Sequence, residues 1–340
     1  MSDPTLTAVD PLRVIEGGRL WLRGSSLPLP SHPGDACTVG GTAARVVFAA
    51  ADRIAVEIPA GLDGGRTEVK VPWLPGATLY VEVGTLLATG LHQVDNPVVD
   101  SSGRVYVTYS GSRGQQAAVS IFRVTPGGAR EPFVSGIVNA TSMTFSPAGQ
   151  LYVSSRFDGA VYRVDEHGAH ELIASDLGLA CGLAFATDGT LFVGDRSGTI
   201  FQIDPGGATT ALATLPASVA AFHLAMGPDG WLYVSVPTLS THDRIYRVSR
   251  GGEVDTVADR FGRPQGLAFD NEGRLHLAEA LAGASGIYRV HDGSRTLVAA
   301  GRRLVGLAFA ASGQMVVATG DAVYGFGYTP GPEPHVSIRA

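Results

Sequence analysis

The chain has 340 residues, of which 45% are hydrophobic and only 16% charged, and it contains 45 Gly and 20 Pro. This composition favours a turn-rich all-β protein and argues against long helices and general disorder. The formal net charge of −6 indicates no basic surface, so neither nucleic acid nor an anionic membrane is expected as a partner.

The opening "MSDPTLTAVDP" has neither the basic start nor the apolar stretch of a secretion signal, and no apolar run of about 18 residues follows. From the sequence as it stands we expect a monomer in the cytoplasm. Cys37 and Cys181 are too few for a disulfide framework, and we expect both to behave as small buried hydrophobic residues.

Residues 5–83 alternate short apolar segments with Gly- and Pro-rich turns and show no helical period, which predicts a small β-sandwich. The segment opens with "EGG" and "LRG", continues with "VGGTAARVV" and ends with "IPAGLDGGRTEVKV". In these motifs and in their order it resembles the IPT/TIG family of immunoglobulin-like domains. The resemblance implies a spacer or interaction module without a catalytic group.

Residues 90–328 repeat one phrase, of which "GLAFATDGTLFVG" is an example, six times. The turn glycines of the six copies are Gly103, Gly149, Gly189, Gly230, Gly273 and Gly313. A period near 40 residues in a β-type sequence indicates a propeller. Each copy begins with a hairpin, and a second hairpin follows in the first five, so the sequence predicts a six-bladed β-propeller with four strands per blade.

The sixth copy ends early, and we expect a segment before the first copy, near "TLLATGLHQV", to supply its missing outer strand and close the ring. Residues 329–340 are predicted to form a C-terminal tail. Each copy also carries one aromatic residue in its third strand, which we expect to pack between neighbouring blades. These are Phe122, Tyr162, Phe201, Tyr246, Tyr288 and Tyr324.

The phrase "GLAF", then "DG", then "LFVGD" resembles the NHL and SMP-30/gluconolactonase-like six-bladed propellers. That family includes metal-dependent lactonases as well as propellers that only bind partners. Its hydrolases place Glu, Asn and Asp just before the "GLAF"-type strand, around one divalent cation, usually calcium. The corresponding residues here are Asp95, Thr141, Cys181, Phe222, Gln265 and Val305.

Asp95 matches the first acidic ligand of the family, and Thr141 and Gln265 are the other candidate metal ligands. Ca²⁺ requires six to eight oxygen ligands, and neither Cys181 nor Phe222 suits a hard cation. The residues therefore predict at most a poor calcium site, and no other cofactor is expected.

A second set of positions, six residues beyond each turn glycine, is predicted to lie near the mouth of the central channel. It includes Tyr109, Asp195 and Glu279. Asp195 and Glu279 are candidates for an acid/base pair, with contacts to backbone or Arg as the alternative. His223 is a candidate base or ligand, or else a buried structural histidine.

Positions that pack the blades are nearly uniform between copies, whereas the channel-facing positions vary, as a ring needs in order to present one asymmetric site. We therefore predict that Asp95, His223, Gln265 and Glu279 converge at the channel mouth. Two functions are compatible with this prediction. The one we favour is a binding or scaffold protein that holds a small molecule, glycan or peptide at the propeller face. The alternative is a hydrolase of lactones or esters, with Asp95, His223 and Glu279 as candidate catalytic residues.

Overall fold

The computed structural model describes residues 3–28, 36–74, 78–125, 129–281 and 285–327, and its regular elements in these ranges are all β-strands. The all-β prediction is therefore confirmed for this part of the chain. No helix in these ranges has the length and apolar character needed to cross a bilayer. The tail predicted at residues 329–340 lies outside the described residues.

The first part of the chain forms eight strands that follow one another in a single hydrogen-bonded order, β1-β3-β6-β5-β4-β7-β8-β2. Their bounds are β1 (Thr5–Asp10), β2 (Arg13–Val14), β3 (Arg19–Ser25), β4 (Cys37–Val39), β5 (Thr42–Ala50), β6 (Arg53–Glu57), β7 (Gly65–Lys70) and β8 (Thr78–Val83). Alternation of buried and exposed residues along β3 directs Leu20 and Leu22 into a core that also contains Cys37, Val56 and Val81. This core consists of residues of the N-terminal part and one residue of the fifth copy, Ala300.

The repeats form strands β9 to β32. Ahead of the first copy lies β9 (Thr85–Thr89). The first three copies contain β10 (Val98–Val99), β11 (Val105–Thr108), β12 (Ile121–Val124), β13 (Arg130–Val134), β14 (Ala140–Phe145), β15 (Leu151–Ser155), β16 (Ala160–Val164), β17 (His170–Ala174), β18 (Ala180–Phe185), β19 (Leu191–Asp195), β20 (Thr199–Ile203) and β21 (Thr209–Thr214). The last three contain β22 (His223–Met226), β23 (Leu232–Ser235), β24 (Asp243–Val248), β25 (Val254–Phe261), β26 (Pro264–Phe269), β27 (Leu275–Glu279), β28 (Gly286–His291), β29 (Ser294–Ala300), β30 (Leu304–Phe309), β31 (Met315–Thr319) and β32 (Ala322–Phe326).

These strands assemble into the blades of a β-propeller. Five four-stranded sheets are separate from one another: β10–β13, β14–β17, β18–β21, β22–β25, and β30–β32 with β9. The strands of the fifth copy, β26 to β29, are hydrogen-bonded in the same consecutive order but belong to a twelve-stranded sheet, because β2 pairs in parallel with β29. The turn glycines have positive φ, as at Gly189 (87°), which is the conformation that the tight hairpins require.

The strand before the first copy pairs with the last strand of the sixth copy, as predicted from the sequence. In this antiparallel pair Thr89 lies opposite Ala322 and Ala88 opposite Val323. The outer edge of β32 is thus covered, which removes an exposed edge. Only Gly84 separates β9 from β8 of the N-terminal part.

Ring contacts between consecutive copies use an aromatic position that the sequence analysis did not single out, three residues after the turn glycine. Its members contact the last residue of the "GLAF"-type strand of the next copy at centroid distances of 4.8 to 5.6 Å. The pairs are Tyr106–Phe145, Tyr152–Phe185, Tyr233–Phe269 and His276–Phe309. Edge-on geometry of this kind adds to the area that the rings bury.

Candidate functional site

A cavity of about 470 Å³ opens at the end of the propeller where the inner strands begin and the second strands of the copies end. Residues from all six copies line it, because the loops that enter the inner strands and the loops that follow the second strands meet there. The polar lining residues are Gln93, Arg113, Asn139, Arg156, Arg196 and Gln265. Phe157, Leu179 and Val305 contribute apolar surface. Small-molecule sites have volumes of this size and this mixture of polar and apolar groups.

Asp95 and His223 meet beside the cavity, although they belong to the first and fourth copies. His223 Nδ1 lies 2.5 Å from Asp95 Oδ1, and both side chains are buried. The same carboxylate oxygen accepts a hydrogen bond of 2.7 Å from the Asn96 backbone N–H. His223 Nε2 is buried and has no hydrogen-bond partner among the described residues. The structure thus brings together two of the four residues that were predicted to converge.

Asn96, next to Asp95, ties the first copy to the fifth and sixth. Its side-chain amide donates to Leu267 O at 2.9 Å and accepts from Leu307 N at 3.0 Å. Gly266 and Gly306 make the room for it, because a Cβ at either position would lie 1.9 or 2.5 Å from Asn96 Oδ1. Asn96, Gly266 and Gly306 occupy equivalent positions in their copies. The side chain of Asn96 therefore fits only because the fifth and sixth copies have glycine there.

Gln265, the third predicted member, lines the cavity. Glu279 does not line the cavity, and its carboxylate is bound by residues of its own copy. Its buried carboxylate accepts hydrogen bonds from Gly262 N at 2.7 Å and from Arg295 Nη1 at 2.6 Å, both in the same part of the chain. Burial raises the pKa of Glu279 above its usual range, and the bonds from Gly262 and Arg295 oppose that shift.

Asp195 and Glu279 are each bound within their own copy, which leaves the acid/base pair without support. Asp195 accepts a hydrogen bond of 2.8 Å from Leu179 N and another from the Ser197 hydroxyl. The alternative interpretation, contacts to nearby protein groups, describes both carboxylates. Tyr109 is partly exposed and lies edge-on to His92 and Phe122.

The candidate metal ligands do not fit a calcium ion. One oxygen of Asp95 is occupied by His223 and Asn96, and the Thr141 hydroxyl donates to Asn139 O at 2.8 Å. Too few oxygens remain for a cation that takes six to eight. Within the described ranges, no three His, Cys, Asp or Glu side chains are grouped as a metal would require.

Three arginines at the cavity were missed by the sequence analysis. Arg156 and Arg196 follow directly after the second set of positions in the second and third copies, so the same alignment, extended by one residue, would have identified them. Arg113 lies in the loop between β11 and β12. Asn139 holds that loop, donating to Ser112 O at 2.9 Å and accepting from Gly114 N at 2.7 Å.

Cys181 also lines the cavity and is one of two free, buried cysteines. Burial raises the pKa of its thiol to about 11. At neutral pH the side chain is therefore an uncharged lining group, because the thiolate is the nucleophilic form.

Comparison with known proteins identifies the fold. No protein-family model matches the chain, and no curated protein matches it in sequence. Among solved structures, one named "putative gluconolactonase" is 20% identical, with a TM-score of 0.59, over 71% of this chain and 90% of that one. An auxiliary nutrient binding protein from Bacteroides thetaiotaomicron is 13% identical, with a TM-score of 0.58, over 96% of this chain and 98% of that one.

A catalytically inactive virginiamycin B lyase from Staphylococcus aureus with quinupristin is 15% identical, with a TM-score of 0.51, over 95% of this chain and 97% of that one. Proteins with these different names share one architecture, and identities of this size carry no further meaning than the fold. The chain therefore has an all-β propeller fold, which it shares with these solved structures.

Proposed function

We propose that this protein binds a small molecule in the cavity at the mouth of a six-bladed propeller. The observation that carries the proposal is the cavity itself, which is large enough for a small ligand and is lined by different residues from each copy. The Asp95–His223 and Asn96 contacts join different copies of the ring, and Val94, the sequence neighbour of Asp95, is one of the residues that line the cavity.

The six-bladed count is part of the same proposal. Besides the five separate sheets, β26 to β29 keep the strand order of a blade within the larger sheet. The inner strands also contact one another in cyclic order, β10 to β14, β18, β22, β26, β30 and back to β10. The assignment of residues 5–83 to an immunoglobulin-like unit is supported by a core whose residues, apart from Ala300, all come from this part of the chain. We place residues 84–90 with the propeller because β9 pairs with β32.

A hydrolase of lactones or esters is the second candidate, and the buried Asp95–His223 pair favours it. A histidine held by a carboxylate, with its other ring nitrogen unpartnered among the described residues, has the contacts of a general base, but His223 is fully buried and does not line the cavity, so this function requires the substrate to reach it. The metal-dependent form of this function has no support in the donor set around Asp95.

A cavity-filling variant tests both candidates. Val305→Phe places a larger side chain in the lining, whereas Val254→Phe makes the same change at an exposed position of β25. We expect a compound from a metabolite panel that includes an aryl ester and a lactone to raise the melting temperature of the wild type and of Val254→Phe but not of Val305→Phe. Turnover of the ester or lactone with the same dependence would select the hydrolase. If no compound distinguishes the two variants, the proposed function is wrong.

A further inference from the structure

Three arginines line the cavity. Within the described part of the chain, neither Arg113, Arg156 nor Arg196 forms an ion pair. Several other arginines of the repeats are paired with carboxylates, as Arg104 is with Asp100 and Arg295 with Glu279. In a chain of net charge −6, the cavity is thus lined by three positive charges without an ion pair among the described residues.

The three guanidinium groups are close enough to affect one another. Burial lowers the pKa of Arg156 below its usual range, and the neighbouring charges of Arg196 and Arg113 lower it further. Like charges around a half-buried group cost free energy unless an anion balances them. The carboxylates nearest in sequence have other partners: Asp158 accepts from Ser155 and Tyr162, and Asp195 from Leu179 and Ser197.

Hydrogen bonds fix the side chain of Arg196 and the loop that carries Arg113. Arg196 donates from Nε to Ser218 O at 3.1 Å and from Nη2 to Val219 O at 3.2 Å, which leaves its remaining N–H groups available. The loop of Arg113 is fixed by Asn139, itself buried and bonded on both sides of its amide. Positioned guanidinium groups recognise carboxylates and phosphates through paired hydrogen bonds.

Gln93 places a hydrogen-bond acceptor without a partner among the described residues at the cavity. Its Nε2 donates to Thr319 O and Ala322 O, both at 3.2 Å, while its Oε1 is buried without a hydrogen-bond partner among the described residues. Since Gln93 lines the cavity, this oxygen is available to accept a hydrogen bond from a bound hydroxyl or N–H group.

We infer that the ligand of this cavity is a small oxyanion, a carboxylate or a phosphate ester, held by Arg113, Arg156 and Arg196, with a donor group directed at Gln93. The inference rests on the proposed function, because it names the chemical class of the ligand for the same cavity. The neutral thiol of Cys181 and the apolar side chains of Phe157 and Leu179 would contact the uncharged part of such a molecule.

Binding measurements with matched charged and neutral compounds test this inference. The probes are inorganic phosphate, glycerol phosphate and succinate, with glycerol and succinamide as neutral counterparts, all titrated calorimetrically at constant ionic strength. The variants Arg156→Gln and Arg196→Gln remove cavity charges, and Arg163→Gln removes the same charge from an exposed pair with Glu171. Arg156→Lys keeps the charge but loses the paired geometry.

We expect at least one anion to bind. Binding of phosphate or glycerol phosphate would identify a phosphate ester as the ligand class, and binding of succinate would identify a carboxylate. Arg156→Gln or Arg196→Gln should weaken binding by about tenfold or more, since each removes a charge-assisted hydrogen bond, and Arg163→Gln should leave it unchanged. Arg156→Lys should bind with intermediate affinity. Binding of a neutral counterpart that depends on Val305 but not on the arginines would overturn the inference and keep the proposed function. Absence of any cavity-dependent binding would overturn both.

Discussion

The Asp95–His223 contact links two copies that lie three repeats apart in the sequence. At 2.5 Å, with both side chains buried, it is a charge-assisted or strongly polar hydrogen bond in a region from which water is excluded. Removing one partner of such a pair leaves the other buried and unsatisfied, which costs more than the bond itself contributes. Asp95 therefore stabilises the contact between the first and fourth copies whether or not any metal is bound.

Asp95→Ala should lower the free energy of unfolding by about 1–3 kcal/mol, because His223 Nδ1 and the Asn96 N–H lose their acceptor. Thermal unfolding in calcium and in a chelator should show the same loss, since the carboxylate is occupied by protein groups. Asp63→Ala, at an exposed position, serves as the control. A loss that appears only in calcium would show that Asp95 is a metal ligand.

Residue types at the channel mouth could be predicted from the sequence, but their partners could not. The alignment of the copies identified Asp95 and Gln265 because they occupy equivalent positions where the copies differ, and His223 because it follows that position directly in the fourth copy. It could not show that Glu279 is bound by Arg295, since that contact depends on the path of an outer strand. Arg113 was missed because its place at the cavity depends on the non-local contact between its loop and Asn139.

At the scale of the element, the second strands of the copies carry the ring contacts between blades. In the first copy, Tyr106 donates to Asp100 Oδ2 at 3.1 Å, and Arg104 Nε binds the same oxygen at 2.6 Å. The fifth copy has the same arrangement of Asp270 and Arg274, with Nε 2.7 Å from Oδ2, but places His276 where the first copy has Tyr106. His276 thus places a ring that titrates between about pH 4 and 7 at a position where the equivalent residue of the first copy is a tyrosine.

Burial lowers the pKa of His276 to about 4, against about 6.5 in an unfolded chain. The unfolded state therefore binds the additional proton first as pH falls from 6.5 towards 4, and the folded state loses stability over this window, by roughly 2–3 kcal/mol at its acid end. Asp270 has a lowered pKa and contributes its own loss only at still lower pH. Tyrosine does not titrate in this range.

His276→Tyr should consequently make the protein more resistant to acid. Urea unfolding should show that the free energy of unfolding falls less between pH 7 and pH 4.5 for His276→Tyr than for the wild type. The introduced phenol can donate a hydrogen bond to Asp270, as Tyr106 does to Asp100. His167→Tyr, at an exposed turn, should behave like the wild type. An equal acid loss in all three proteins would contradict the assigned role of His276.

At the scale of the whole molecule, the repeat period predicted the four-strand pattern and the closing strand β9, because both follow from local turn and strand signals. The attachment of the N-terminal part could not be predicted in this way. Two residues, Arg13 and Val14, form β2 and pair with β8 on one side and with β29 on the other. A strand of two residues shows no alternation of apolar and polar residues that could be recognised in the sequence. Its position is determined by its pairing with β8 and β29.

Ile15 continues that connection into the propeller, where it packs in one core cluster with Leu304 and Phe326, and its backbone N–H donates to Ala300 O at 2.9 Å. Ile15→Ala should lower the stability of the propeller by about 3 kcal/mol, or several degrees in melting temperature, because it leaves a space between the two parts. Calorimetry of the wild type should show one cooperative transition, and the variant should unfold earlier or in two steps. Leu22→Ala, inside the core of β1 to β8, is the matched control that weakens the N-terminal part without touching this cluster. If the wild type shows two transitions, and Ile15→Ala does not change the melting temperature of the propeller transition, the two parts fold independently.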